Sequence, residues 1–348
     1  MQKLTKSSVI LPYKIIMDSV RGSKVNISRE LFPRIFKIAK EGKLLSLICN
    51  YVEDFPEDFK PYLEKRCLLT KFYYECLRIV AEELNSKGVE YYIIKTIKPF
   101  AYDMTDLDLL IIDGKEMLFA SKILVEKHGF KPISKGTYSI SLRKIVEGLD
   151  IDLDLQTRIA AGTFEYIVVS DIKKQIGGIG YIKDGLNLLR PELELCTVIG
   201  HAFYKDLTIS LANILHARFL LGIINRGTLS IIFDNYQYLV KPFKLLNTII
   251  NLLQGLLYTN KSNAKFEQGG LEYLLISKSV YETLEKGRGI FNIPLTLVAS
   301  TYMETANKLI KGHRYHQLEE LLTLPHSRGI ALLFRRMGVL PPEETIRI

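Results

Sequence analysis

A chain of 348 residues is long enough to bury a substantial core without disulfide or metal staples, and it corresponds to about two ordinary domains. With 47% hydrophobic and 24% charged residues, 12 Pro and 23 Gly, the composition excludes a disordered, collagen-like or low-complexity protein. Lys and Arg outnumber Asp and Glu by 47 to 38, and the formal charge of +9 suits polyanionic partners such as nucleotides, RNA or an anionic membrane surface. Cys49, Cys67, Cys76 and Cys196 form no C-x-x-C pair, and with no secretory leader they read as thiols in a reducing cytoplasm rather than as zinc ligands. The longest uncharged stretch, Leu245 to Asn260, is 16 residues and is interrupted by Asn247, Thr248, Asn251 and Gln254, so no membrane span is expected.

Residues 1–88 carry helical periodicity, from Ile27 to Phe32 and onward and again from Leu68 to Leu84, broken around Phe55-Pro56 and Lys60-Pro61. From Val89 the pattern changes. Val89 to Ile94 and Asp106 to Ile112 are strand candidates, rich in β-branched, aromatic and aliphatic residues. A helix follows, with Asp113 as N-cap, Glu116 three positions on and His128-Gly129 as the stop. Phe130 to Ile133, Thr137 to Val146 and Gly148 to Gln156 are further strand candidates. From Pro191 the chain returns to helical runs, 192–205, 209–224, 241–257, 270–285, 294–311 and 316–322. The expected fold is α+β: a small mixed sheet over 89–185 with helices on one side, between an N-terminal helical region (1–88) and a C-terminal helical domain (186–348).

The chemistry concentrates in aspartates. Fourteen Asp in 348 residues would give about 0.6 Asp-x-Asp pairs by chance, and the chain has three. They are Asp106/Asp108, Asp150/Asp152 and Asp152/Asp154, all on strand candidates. Alternation puts Asp106 and Asp108 on one face and Leu107, Leu109 and Ile111 on the other, and it sorts Asp150, Asp152 and Asp154 from their aliphatic neighbours in the same way. Carboxylates sharing a face on adjacent strands repel unless cations neutralise them. Mg²⁺ or Mn²⁺ fits that need, because a hard divalent ion takes a few carboxylate oxygens and completes its shell with water and substrate phosphates. Periodicity alone does not separate Asp150, Asp152 and Asp154. The central residue, Asp152, has the best chance of lying level with the first pair when the register is uncertain by one repeat.

Tyr91 to Thr96, Thr105 to Ile111 and Asp150 to Leu155, in this order and spacing, resemble the polymerase-β-type nucleotidyltransferase core, and most closely the uncharacterised nucleotidyltransferase family. The resemblance covers roughly residues 70–220. It implies a helix before the core, a strand ending near Lys-Gly, a D-x-D strand, a third carboxylate strand and a helical C-terminal domain. It further implies Asp106 and Asp108 as paired metal ligands, Asp152 as the third carboxylate, and transfer of a nucleoside monophosphate from an NTP to an acceptor hydroxyl with pyrophosphate released. The acceptor, whether RNA, protein or small molecule, is left open. The sequence departs from the family at the turn before D-x-D, where Lys95-Thr96-Ile97-Lys98-Pro99 holds no glycine. There Lys95 or Lys98 is the candidate phosphate ligand by charge and Thr96 by its hydroxyl, and a non-catalytic nucleotide- or RNA-binding protein of the same fold is the competing expectation. A sugar-nucleotide glycosyltransferase would use Asp106 and Asp108 but leave the second cluster idle.

Arg158, just past the aspartate strand, has a guanidinium fork suited to phosphate oxygens and is weighed equally against a salt bridge with the aspartates. His201 and Lys205, one helical turn apart, face the same way but read first as interdomain packing. The basic Lys311 to His316 segment and Arg335-Arg336 suit either RNA backbone or solvent. Neither G-x-x-x-x-G-K-[ST], G-x-G-x-x-G nor G-x-S-x-G occurs, so P-loop, dinucleotide-binding and serine-hydrolase readings lack support.

Overall fold

The computed structural model describes residues 6–22, 24, 27–52, 56–258 and 270–324. Four helices come first: α1 (Lys6–Val20), α2 (Phe32–Glu41), α3 (Leu45–Tyr51) and the long α4 (Lys60–Ser86), which carries Pro61 in its first turn, where a missing amide proton costs nothing. Then come β1 (Tyr92–Ile94), β2 (Leu107–Leu110), α5 (Gly114–His128), β3 (Lys131–Lys135), β4 (Ser139–Val146) and β5 (Leu149–Gln156). α5 is bounded as its sequence dictates: the Asp113 carboxylate accepts from the Lys115 and Glu116 amides at 2.6 and 3.1 Å, and Gly129 closes the helix at φ 72°.

Residues 159–189 add four strands and a helix: β6 (Ile159–Ala161), β7 (Phe164–Ile167), α6 (Val169–Ile176), β8 (Gly180–Lys183) and β9 (Leu186–Leu189). The remaining elements are α7 (Pro191–Gly200), which runs into a π-helical turn over His201–Asp206, β10 (Thr208–Ser210), α8 (Leu211–Ile223), α9 (Arg226–Asn235), α10 (Val240–Tyr258), α11 (Leu271–Glu285), β11 (Ile290–Asn292), α12 (Leu295–Lys311) and α13 (Tyr315–Thr323).

The chain is therefore mixed α and β, built around a seven-stranded sheet of order β3-β4-β5-β2-β1-β9-β8. Two of its pairings, β2 with β5 and β1 with β9, are parallel, and the rest are antiparallel. The β4–β5 hairpin turns on Glu147 and Gly148, both at positive φ, and the β8–β9 hairpin turns likewise on Asp184 and Gly185, the geometry that matches the right-handed twist of paired strands. The expected boundary at residue 185 thus falls inside the second hairpin.

On one face of the sheet Ile93, Leu107, Leu109, Ile151, Leu153 and Leu155 are buried in the same core as α4 and α5. On the other face Ile94, Leu110 and Leu189 join Leu193 and Cys196 of α7 and an aromatic group that includes Phe164, Tyr166, Tyr204 and Tyr238. Gly200 exists for that group: a Cβ there would stand 2.3 Å from the Tyr166 ring.

A separate β10–β11 ribbon joins residues far apart in the chain. Beside it, Gly289 packs so tightly on Gly42 that a Cβ would lie 2.2 Å from the Gly42 nitrogen, while Leu211 N–H donates to Gly289 O at 2.8 Å and Ala212 N–H to Gly42 O at 3.0 Å. Tyr13 of α1 donates to Arg288 O at 2.7 Å. The N-terminal helices and the C-terminal half are in this way locked backbone to backbone. Among the described residues no helix is long and apolar enough to cross a membrane.

Candidate functional site

β2 and β5 run parallel in the register Leu107 to Leu153 and Asp108 to Asp154. Both aspartates leave the sheet on the same face and at the same level, and Asp106, just before β2, joins them. One carboxylate oxygen from each of Asp106, Asp108 and Asp154 lies within 4.8 Å of the others. Asp106 is oriented by Thr105, whose hydroxyl donates to Oδ1 at 2.9 Å, and Gln156 Nε2 donates to Asp108 Oδ1 at 3.3 Å. Asp154 accepts no hydrogen bond among the described residues.

The third member is thus Asp154 and not Asp152. β5 is also paired with β4, antiparallel, which sets Asp152 opposite Arg143. Arg143 grips Asp152 with Nε at 2.6 Å and a terminal nitrogen at 2.9 Å, and reaches Asp150 at 3.0 Å. Asp152 is one strand repeat away from level with Asp108, about 6.6 Å along the strand. The two upstream aspartates have a cation of their own.

Lys95 follows β1 and begins the turn. It sits at φ 58°, a left-handed conformation that a lysine adopts only under constraint. The constraint is visible: its N–H donates to both carboxylate oxygens of Glu194 on α7, at 2.9 and 3.1 Å, its carbonyl accepts from Lys98 Nζ at 2.9 Å, and its own Nζ lies 3.0 Å from Asp108 Oδ2. The turn adopts the backbone shape a glycine would give while placing an ammonium among the carboxylates. Burial pushes the Asp108 carboxyl up to about 6 against the pull of Lys95, with Asp106 and Asp154 adding repulsion. Burial works against the Lys95 ammonium, yet Asp108, Asp106 and Glu194 hold it above its ordinary range.

The other expected phosphate ligands are occupied. Thr96 spends its hydroxyl proton on Ile94 O at 3.1 Å and accepts the Asp108 amide at 2.9 Å, locking the turn to β2. Lys98 is buried with Nζ 4.4 Å from the centre of the Tyr102 ring, and burial lowers its pKa to about 8 although Glu194 opposes this. Arg158 does not reach the aspartates. It lies 3.4 Å over the Tyr138 ring, donates to Glu320 of α13 at 2.8 Å and stands 3.5 Å from Glu165. His201 lies edge-on to Tyr166 with ring centroids 6.3 Å apart, and burial keeps its imidazole neutral. Arg335 and Arg336 lie outside the described residues.

Because Arg158 serves Glu320 and Glu165, Arg158→Ala is expected to leave ligand binding at the aspartates unchanged and to lower stability by about 3 kcal/mol, the scale for orphaning a buried carboxylate. Chemical denaturation and isothermal Mg²⁺ titration of the same sample measure both halves of that statement. Burial raises Glu165 to about 7 with Arg158 present, so removing the arginine lets Glu165 take up a proton, and the loss is smaller at pH 5 than at pH 8.

Sequence reasoning missed Glu194, which reaches the turn from a helix 99 residues downstream, and Asp103, a buried carboxylate that accepts from the Leu45 and Ser46 amides at 3.0 and 2.8 Å. Asp103 anchors the loop entering β2 to the start of α3, and Tyr73 of α4 holds the same loop through Thr105 O at 2.6 Å. Beside the Lys95 turn lies a cavity of about 120 Å³ whose wall includes Lys98, Glu194, His216, Tyr181 and Phe219.

No protein-family model matches the chain, and no curated protein or solved structure matches it either.

Proposed function

We propose that the chain is a metal-dependent nucleotidyltransferase of the polymerase-β type, moving a nucleoside monophosphate from an NTP to an acceptor hydroxyl. The observation that carries this reading is the convergence of Asp106, Asp108 and Asp154 from two parallel-paired strands beside the turn that follows β1. Three hard anionic donors, one of them paired with the Lys95 ammonium, fit Mg²⁺ or Mn²⁺, which takes oxygen ligands and leaves positions for phosphate. When bound, the ion supplies charge neutralisation at the transferred phosphorus and at the departing pyrophosphate.

The protein's own groups supply the rest. Asp106 is held by Thr105 and Asp108 by Gln156 and Lys95, so both offer fixed oxygens. Asp154, without a donor among the described residues, is the group able to take the proton of the acceptor hydroxyl as the new P–O bond forms and the bond from the α-phosphorus to the bridging oxygen breaks. Lys95 Nζ, 3.0 Å from Asp108 Oδ2, would offer a cation to a phosphate held at the aspartates. The apolar walls of the neighbouring cavity suit an organic group carried by the nucleotide or the acceptor.

A second reading has one observation in its favour: Lys95 and Asp108 are already paired, and the turn is closed on itself by Thr96 and Lys98, as a protein that binds nucleotide without turnover would allow. Incubation with each α-³²P-labelled NTP and Mg²⁺ or Mn²⁺, with cellular RNA, protein and small-molecule extract as acceptors, separates the two. Label transfer that Asp108→Asn abolishes is the expected result. Saturable NTP binding with no transfer to any acceptor would establish the second reading instead.

A further inference from the structure

The cavity of about 120 Å³ beside the Lys95 turn is walled by that turn, the β8–β9 hairpin, the start of α7 and one side of α8. Much of the wall is apolar, and two of its rings are open to solvent: Tyr181 of β8 is 42% exposed and Phe219 of α8 is 44% exposed. Three other lining residues, Lys98, Glu194 and His216, are ionisable yet buried. A polar group taken out of water costs stability unless it finds a hydrogen bond. Glu194 finds one in the Lys95 N–H. His216 Nδ1 makes none among the described residues, and it stands 3.9 Å from Glu194 Oε1, too far for one. Burial, with Lys98 nearby, keeps this imidazole neutral, so the two do not form an ion pair. The other buried residues of α8 are Leu211, Ala212, Ile214, Leu215, Ala217 and Leu220, and among them the histidine is the single polar side chain. Packing alone would be served better by a leucine.

We propose that this cavity is the base-binding subsite of the nucleotide and that it takes a pyrimidine. In naming a base the proposal rests on the nucleotidyltransferase reading, whereas its test needs neither phosphate nor metal. Size favours one ring, since a cavity of roughly 150 Å³ accepts benzene and a fused purine overfills about 120 Å³. The edge of a pyrimidine sets a hydrogen-bond donor beside an acceptor. Lys98 Nζ is a donor only, and of its three protons one goes to Lys95 O. The Glu194 carboxylate is an acceptor with lone pairs beyond those that take the Lys95 N–H, and neutral His216 offers a contact of either sense. A small anion would meet Glu194, and a hydrocarbon would leave Lys98 and His216 unpaired. Tyr181 and Phe219 supply ring faces for stacking. Lys95 joins the two places, because it lines the cavity while its Nζ stands 3.0 Å from Asp108 Oδ2.

Uridine, cytidine, adenosine and guanosine are titrated into the full chain without divalent metal, and binding is read by saturation-transfer NMR and calorimetry. Both pyrimidines are expected to bind, with a Kd on the order of 1 mM for so small a contact, and both purines at least about tenfold more weakly. Phe219→Ala removes a stacking face, and Ile223→Trp, at an exposed position of the cavity wall, narrows the space; both are surface changes, and each is expected to weaken uridine at least about fivefold. His216→Leu is expected to weaken uridine by a similar factor while the melting temperature stays equal or rises, because a buried nitrogen without a partner has been removed. A histidine that only packs would leave binding unchanged. The proposal is overturned if purines bind as well as pyrimidines, if no nucleoside binds, or if uridine binding is the same in all three variants. Label transfer from NTPs without any nucleoside preference would remove this subsite and keep the nucleotidyltransferase reading. Pyrimidine binding without label transfer would keep the subsite and remove the catalytic reading.

Discussion

Asp154→Asn is expected to reduce NTP turnover by at least about a hundredfold, the scale seen when a charge-positioning group is removed, while Asp152→Asn leaves it within a few fold. The two residues are neighbours on one face of one strand, so the contrast isolates level along the strand from everything else they share. Asp154 stands opposite Asp108 and shares the 4.8 Å cluster, whereas Asp152 stands opposite Arg143. What Asp152→Asn does change is the pairing with Arg143. That guanidinium is about two-fifths exposed and keeps Asp150, so solvent screening leaves little stability to lose. Steady-state kinetics on the two variants, with folding checked by circular dichroism, decides the matter. Equal losses in both, or a larger one in Asp152→Asn, would remove Asp154 from the proposed site.

Lys95→Met should destabilise the metal-free protein by about 3 kcal/mol, because three carboxylates then crowd together with no ammonium among them. Divalent metal should recover much of this, about 2.7 kcal/mol when the ion is present at a hundred times its dissociation constant. The Mg²⁺-induced rise in melting temperature is therefore larger in the variant than in the wild type, since no ammonium competes for Asp108. The pH dependence carries a definite sign. Folding raises Asp108 from the usual 3.8 to about 6, so its protonated form favours the fold. That contribution is complete below about pH 4 and is lost as pH rises through about 6, so the metal-free wild type loses stability across this window on account of Asp108. In Lys95→Met the carboxyl rises further and the loss extends to higher pH. Thermal denaturation from pH 4 to 8, with and without Mg²⁺, tests all of this, and a variant as stable as the wild type without metal would show that the ammonium does not hold the cluster together.

The pairing also changes what is expected of Asp108→Asn. Repulsion alone predicts that removing one charge stabilises the metal-free protein. With Lys95 Nζ 3.0 Å away in a buried position, the substitution also takes away a partner, leaving Asp106 and Glu194 as the carboxylates that act on the ammonium.

Much of this was legible in the residues. The D-x-D face follows from strand periodicity, and α5 could be bounded by Asp113 and Gly129 because caps are local chemistry. Level along the strand was not legible from periodicity, since a repeat of two residues fixes a face and leaves position along it open. Yet one clue was present. Glu147-Gly148 between two alternating runs is a two-residue hairpin turn, and counting outward from it places Arg143 opposite Asp152, which assigns that aspartate a partner before any metal is considered. Asp184-Gly185 carried the same signal for the β8–β9 hairpin. The contacts of Glu194 with Lys95 and of Arg158 with Glu320 had no such clue, because they join residues 99 and 162 positions apart and depend on how α7 and α13 pack.

The backbone contact between Gly42 and Gly289 sets an order in time. During synthesis the helices that precede Gly42 leave the ribosome tens of seconds before Gly289 does, at roughly 5–20 residues per second. Through that interval the surface of α1 and α2 that will receive Arg288 and Gly289 stays uncovered, and so does the end of α2 against which Leu211 and Ala212 will pack. In the meantime these faces of α1 and α2 are open to chaperones and proteases.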